Sequence, residues 1–410
     1  MGLRLGVARR DASPAHPVQL AGFGRRAGAL VSQFAHPIQV RVAVIGDDTG
    51  TLALVSGEFL NWSTESDERF RTIVAEQTGV APSDILFSAT HTHSAPQLSH
   101  HQAALLGVVD EGYLDELAAH LAIVAREAAG SRREVTVARV AARHELAWQR
   151  RQDLDADPRI DDTLTVVRFD AGDELVACFV HYACHPVVSA DNVVSGDFFG
   201  AAMAGLERAT GAVAFPLQGC AGDVDPGGAV MAGIERAAQV GRDFADAVAG
   251  LLAEPSAPVA TGPISAAWRT AQLPVSRVPT PSELGAVGAD DPLEAQWAAG
   301  LLAHPDLLRP ELPCRLQLWS LGPGLQLLAM SGEVTSPYGL RIRERSGGRA
   351  LPVAYSNGMV GYIPTAAQIA AGGYEVHESA RCYLIPGTFD PVIEVRMNES
   401  VDALLEHVPD

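Results

Sequence analysis

The stretch DILFSATHTHSAP, residues 84–96, runs from a β-rich segment into two histidines one residue apart, His91 and His93. Imidazoles at the tip of a strand can ligate a metal or carry a proton, although Thr and His in a turn can also satisfy each other's hydrogen bonds. Three further strand-like segments end in residues able to join them. ELVACFVHY (174–182) leads into HYACHPVVSADNVVSGD, which carries His181, His185, Asp191 and Asp197. Residues 212–218 lead into QGCAGDVDPGG, with Asp223 and Asp225 on a glycine-rich turn, and LQLLAMS (325–331) leads into Gly332 and Glu333. In α/β sheets, loops beyond the carboxyl ends of strands are free to present side chains from several strands at once. Two or three histidines with a carboxylate form the ligand set of a catalytic zinc, which keeps one position open for water. Iron or manganese would accept similar atoms, but the tight spacing of a facial triad is absent, which puts zinc first. Each residue also has a plainer reading. His181 lies inside an apolar strand and reads as a core histidine, His100 and His101 in QLSHHQ as a solvated loop, and Asp223 and Asp225 as turn residues that bond their own backbone. Only the coincidence of four such strand ends points to a site.

The elements that must position these residues alternate between strand and helix. Residues 39–48 and 51–59 form a hairpin about a DDTG turn, followed by a helix near 65–77 that Gly79 ends. After the opening strand come a long helix near 110–129, strands near 134–142, 163–169 and 174–182, a helix at 198–209, a strand at 212–218 and a helix at 228–252. Residues 254–312 are rich in Pro and turn signals around one helix near 291–303, an excursion within the domain. A strand pair at 313–330, turning at LGPG, resumes the pattern. Without repeats or low-complexity segments, this predicts one mixed α/β domain over residues 1–410, with central sheets flanked by helices.

Composition bounds the function. A chain of 410 residues with 47% hydrophobic residues can fill a sizeable core. The net charge of −19 argues against nucleic acid or an anionic membrane as partner, since both demand a basic face. A small molecule is the expected partner, and no stable membrane association is expected. All 30 basic residues are arginine, which excludes Schiff-base lysine chemistry and a phosphate-loop lysine. Five cysteines without a C-x-x-C pair read as buried reduced thiols, and the N-terminus lacks the apolar core of a signal peptide, so a cytoplasmic protein is expected.

Five blocks in order, ATHTHSAP, HPVVSAD, GCAGDVDP, SGEVTS and GYIPTAAQIAAGGYE, resemble the catalytic domain of the neutral/alkaline (non-lysosomal) ceramidases, zinc amidohydrolases that cut the N-acyl bond of ceramide. The similarity runs from near Gly6 to about Arg381. It implies a zinc ion on His91, His185, Glu333 and Tyr362. It also implies that His93 and Tyr374 line the reaction centre and stabilise the tetrahedral intermediate, and that Arg150, with Arg151 as a close rival, contacts substrate. Tyr362 rests on the resemblance alone. His91, His185 and Glu333 rest on both arguments. Three departures bear on substrate: Asp225 stands where the family's G-D-V-S-P block has a serine considered essential for ceramide cleavage, and neither the immunoglobulin-like C-terminal domain nor membrane-associating features are expected.

These readings combine into a zinc-dependent hydrolase, an amidohydrolase acting on a small polar N-acyl compound rather than ceramide. Asp225 would face the substrate as a carboxylate without a partner of its own, serving as base or binding an ammonium or hydroxyls. Alternatives are an esterase, lactonase or glycan-processing hydrolase on the same scaffold, or a metal-containing binding protein without chemistry.

Overall fold

Strands with both faces apolar need cover on both sides, and that requirement shapes the molecule. The computed structural model describes residues 2–26 and 28–406. The main sheet runs in the order Val213–Gln218, Glu174–Tyr182, Thr163–Ala171, Arg133–Arg143, Leu3–Asp11, Gln39–Gly46, Thr51–Gly57 and Ile85–Ala89, and Ala257–Pro258 pairs with Arg133–Arg143 off this path. Neighbours along the path are antiparallel except the outermost pair at each edge, which is parallel. Side chains alternate between faces, so Ala177 and Phe179 enter one core while Cys178 and Val180 enter another. A second sheet, Ser265–Pro274, Glu311–Ser320, Gln326–Met330 and Ala350–Val353, packs Trp319, Leu327 and Leu351 against Leu54, Phe179 and Phe215 of the first. Helices Asp67–Thr78, Glu111–Gly130, Asp197–Thr210 and Ile234–Ala253 cover the outer side of the first sheet, and Ser336–Arg345 and Ile393–Leu405 cover the second. The result is a mixed α/β fold with its sheets between helices. All five cysteines are buried and free. No helix among the described residues is long and apolar enough to cross a membrane.

The main sheet curls until its two edges meet. Ser56 Oγ donates to Pro216 O and Gln218 Nε2 to Thr90 O, both at 3.0 Å. The chain beyond Ala350–Val353 then seals the seam: Ala354 N donates to Gln218 O at 3.1 Å, Ala89 N to Tyr355 O at 3.1 Å, and Asn357 N to Phe87 O at 2.9 Å. Backbone groups that open edges would leave unpaired are thereby satisfied. The loops after Ile85–Ala89, Glu174–Tyr182, Val213–Gln218 and Gln326–Met330 emerge side by side.

Two sequence expectations are corrected. The helix expected from 228 begins at Ile234, because Gly228, Met231 and Gly233 adopt φ of 64°, 52° and 101°, and Ile234 N is met by Asp191 Oδ2 at 2.7 Å. The Pro-rich excursion at 254–312 contains a strand of the second sheet, Ser265–Pro274, which pairs along all ten residues with Glu311–Ser320. Its prolines sit at the strand end and in flanking turns, where a missing N–H costs no ladder bond.

Asp223 ties these loops together. It is fully buried and accepts hydrogen bonds from Gln149 Nε2 (3.0 Å), Ser336 N (2.7 Å), Ser336 Oγ (3.0 Å) and Gln368 Nε2 (3.0 Å). Burial raises its pKa above the usual carboxylate value, against the pull of these donors. Asp223→Ala strands the donors and is expected to lower unfolding free energy by about 3 kcal/mol. Equilibrium denaturation checks this, and a loss under about 1 kcal/mol would contradict the structural role.

Candidate metal centre

Two candidate ligands sit just past strands of the main sheet, and two face each other in a short ladder of their own. His91 follows Ile85–Ala89 with φ 70°, a left-handed conformation unusual for a non-glycine residue, and its N–H donates to Phe59 O at 2.8 Å. His185 follows Glu174–Tyr182 and donates its N–H to Val224 O at 2.9 Å. Glu333 and Tyr362 stand opposite each other in the short parallel ladder of Glu333–Val334 with Tyr362–Ile363, so their side chains share a face.

The side chains converge. His91 Nε2 lies 3.0 Å and His185 Nε2 3.1 Å from Glu333 Oε2, and the Tyr362 hydroxyl lies 3.4 Å from His185 Nε2. On the opposite ring nitrogens, His91 Nδ1 meets Leu60 O at 2.7 Å and His185 Nδ1 meets Ala221 O at 2.6 Å. A carbonyl can only accept, so each Nδ1 carries a proton, and in the neutral ring Nε2 then turns its lone pair toward the carboxylate. Three acceptors facing one another in a buried site repel unless a cation lies between them. Tetrahedral ligands about 2.0–2.1 Å from a zinc ion stand roughly 3.3 Å apart, close to the separations observed. The donor set therefore fits a divalent metal, with each ligating imidazole oriented by a backbone carbonyl as metal-bound histidines usually are.

His93 also belongs to this cluster. His91, His93 and His185 offer ring nitrogens that all lie within 4.8 Å of one another, and His93 Nε2 is 3.3 Å from His91 Nε2. It differs in its outer nitrogen: Nδ1 is buried and makes no hydrogen bond among the described residues, where no carbonyl fixes the ring as a ligand. Burial holds His93 well below the ordinary imidazole pKa, which leaves it neutral. Phe23 packs on its ring at a centroid distance of 4.8 Å. Gly22, with φ 97°, passes so near that an added Cβ would stand 2.6 Å from the imidazole, and only glycine fits. Burial and the Glu333 charge push the Tyr362 phenol up.

One side of the cluster carries a lattice of charges and rings. Arg150 reaches Glu375 Oε1 at 2.7 Å and Asp225 Oδ1 at 3.3 Å, and its guanidinium lies 5.5 Å and 5.6 Å from the ring centres of Tyr362 and Tyr374. Arg151 is 1% exposed and is spent on Glu375, Asp155 and the Gly372 carbonyl, so of the two arginines it is Arg150 that lies beside the site. Tyr374 is 46% exposed and meets the Tyr362 ring edge-on at 5.6 Å. The expectation that Asp225 lacks a partner is corrected, since Arg150 supplies one. Its Oδ2 makes no hydrogen bond among the described residues, and directly across the ladder stands the half-exposed indole of Trp148.

The remaining candidates are structural. His181 is buried between Pro352 O and Arg343, and Asp197 is buried and accepts from the Val188, Ser189 and Phe198 amides. His100 pairs with Glu111 at the surface. Two tyrosines escaped sequence reasoning. Tyr355 packs against His91 with ring centres 4.3 Å apart and planes tilted by 34°, and Tyr383 donates its hydroxyl to Glu333 Oε1. Neither stands in a block with chemical spacing, so no sequence signal marked them.

No protein-family model matches the chain, and no curated protein matches it. Solved structures do. A neutral ceramidase from Pseudomonas aeruginosa is 18% identical with a TM-score of 0.79, covering 100% of this chain and 75% of that one. A ceramidase complexed with C2 is also 18% identical with a TM-score of 0.80, covering 100% of this chain and 76% of that one. The curled sheet, the second sheet and the flanking helices together form a neutral-ceramidase-like fold.

Proposed function

We propose that this protein is a zinc-dependent hydrolase, an amidohydrolase that cleaves the amide bond of a small polar N-acyl compound. The observation that carries the reading is the convergence of His91 Nε2, His185 Nε2 and Glu333 Oε2, with both Nδ1 atoms pinned to carbonyls. His91, His185, Glu333 and Tyr362 would hold the ion. When bound, zinc supplies Lewis acidity, which brings the pKa of water toward neutrality and polarises a carbonyl.

The chain's own residues do the rest. His93, neutral and beside the ligands, takes a proton at Nε2 from the attacking water. It returns that proton to the departing nitrogen as the C–N bond breaks, yielding a carboxylic acid and an amine. The Tyr374 hydroxyl donates a hydrogen bond to the carbonyl oxygen as negative charge develops there. Arg150, fixed by Glu375 and stacked beside both tyrosines, keeps Tyr374 and Asp225 in place. The free oxygen of Asp225 suits a hydroxyl or ammonium on the substrate, and the indole of Trp148 gives that group's carbon skeleton a flat apolar surface. Ceramide offers its neutral sphingoid chain where this pair would prefer a polar one.

Three measurements test the proposal. Elemental analysis of His91→Ala and His185→Ala should show loss of zinc together with reduced stability, and full occupancy in both variants would remove the metal assignment. Tyr374→Phe should retain zinc and lose turnover by about 10- to 1000-fold, measured on the best substrate from a panel of amides, esters and lactones. On long-chain ceramide and polar N-acyl compounds assayed side by side, wild type should prefer the polar series and Asp225→Ser should shift toward ceramide. Efficient ceramide cleavage by wild type would overturn the substrate assignment while leaving the chemistry intact.

A further inference from the structure

Glu333 has two oxygens in different surroundings. Oε2 faces the Nε2 atoms of His91 and His185 at 3.0 and 3.1 Å, while Oε1 accepts the Tyr383 hydroxyl. The backbone of Glu333 is fixed by its N–H to Gly361 O, at 2.9 Å, and by its register against Tyr362, but neither contact sets the rotation of the carboxylate plane. Tyr383 does. We propose that Tyr383 is a positioning residue for the metal centre: by holding Oε1 it makes Glu333 present Oε2 alone to the cation, and so governs how tightly the ion is retained. The inference rests on the metal reading of the His91, His185 and Glu333 cluster.

Tyr383 is itself built in. Its N–H donates to Ser379 O at 3.1 Å, and the carbonyl before it, Cys382 O, accepts Ala103 N at 2.8 Å, which ties this segment to the loop that follows His93. Its Cβ stands over Gly361, where φ is 104° and an added Cβ would come within 3.2 Å. Its ring lies 6.2 Å from that of Tyr362. A phenol so constrained keeps its hydroxyl on one oxygen. Without that hydroxyl, Oε1 would be a buried acceptor with no donor, and the carboxylate would rotate to relieve it. That rotation withdraws Oε2 from the position it shares with the two imidazoles. A carboxylate ligand is thus oriented here by a phenol, as the two histidines are oriented by carbonyls.

The test uses full-length protein stripped of metal and titrated with Zn2+ against a chromophoric chelator, with release to excess chelator followed by stopped flow. Tyr383→Phe keeps the ring and its packing and removes only the hydroxyl. Zn2+ affinity is expected to fall about 10- to 100-fold, mainly through faster release. In a Glu333→Gln background the same substitution is expected to change affinity less than about twofold, because the partner through which Tyr383 acts has been altered. Unchanged affinity in Tyr383→Phe overturns the inference, and so does an equal loss in both backgrounds, which marks a packing role. Wild-type protein that binds no Zn2+ overturns this inference together with the metal reading, whereas tight wild-type binding with an unaffected variant overturns this inference alone.

Discussion

Three proton acceptors aimed at one point cannot be held together cheaply in a buried site, and the architecture around them supplies the restraint. Each imidazole is locked by a carbonyl on its far nitrogen and the carboxylate by a phenol on its far oxygen. The backbones beneath them are held in turn by the seam between the sheet edges. His91 and Tyr355, whose rings pack together, have φ of 70° and 55°, in a region that costs a non-glycine residue about 1–3 kcal/mol. His91 N donates to Phe59 O beside its own strand, and Tyr355 O accepts Ala89 N across the seam. The segment that closes the sheet therefore also carries a ring packed on a candidate ligand.

A second restraint is electrostatic. Arg150 and Arg151 share Glu375 and reach outward to Asp225 and Asp155, so four carboxylate and guanidinium contacts fix the segment that carries Tyr374. A chain that uses only arginine for its basic residues suits this arrangement. The planar guanidinium can bond two carboxylates in its plane and still lay a face on Tyr362 and Tyr374, which a point-like ammonium could not do. Asp223 and Asp225, two residues apart, divide the labour: one is sealed among neutral donors and holds loops together, while the other stays partly open beside the site.

The sequence made parts of this visible and hid others for physical reasons. A period-two run that ends in H-T-H, and another that ends in Gly-Glu, mark strand ends without reference to tertiary structure, so His91, His93 and Glu333 could be found from the residues themselves. Their meeting could not, because it depends on the curl of the sheet and on residues 354–357 lying between two edges, a long-range pairing that leaves no local trace. Tyr362 and Tyr374 came only with the family resemblance, and Tyr355 and Tyr383 not at all, since a tyrosine packed beside a site has the same local signature as one in the core. The strand Ser265–Pro274 was masked by its flanking prolines, and the start of the helix at Ile234 by apolar residues that follow two glycines. In both places turn chemistry and tertiary pairing outweighed local composition.

The groups around the centre come from positions 91 to 383, and the seam that brings them together closes on residues 354–357. During synthesis from the N-terminus, His91, His93 and His185 are made long before Glu333, and Tyr383 comes last of all. A growing chain thus carries imidazoles with no carboxylate to complete them for most of its time on the ribosome. Assembly of the cluster therefore waits until translation has passed the last of these residues, and a nascent chain interrupted before that stage carries imidazoles without the carboxylate and the phenol that face them.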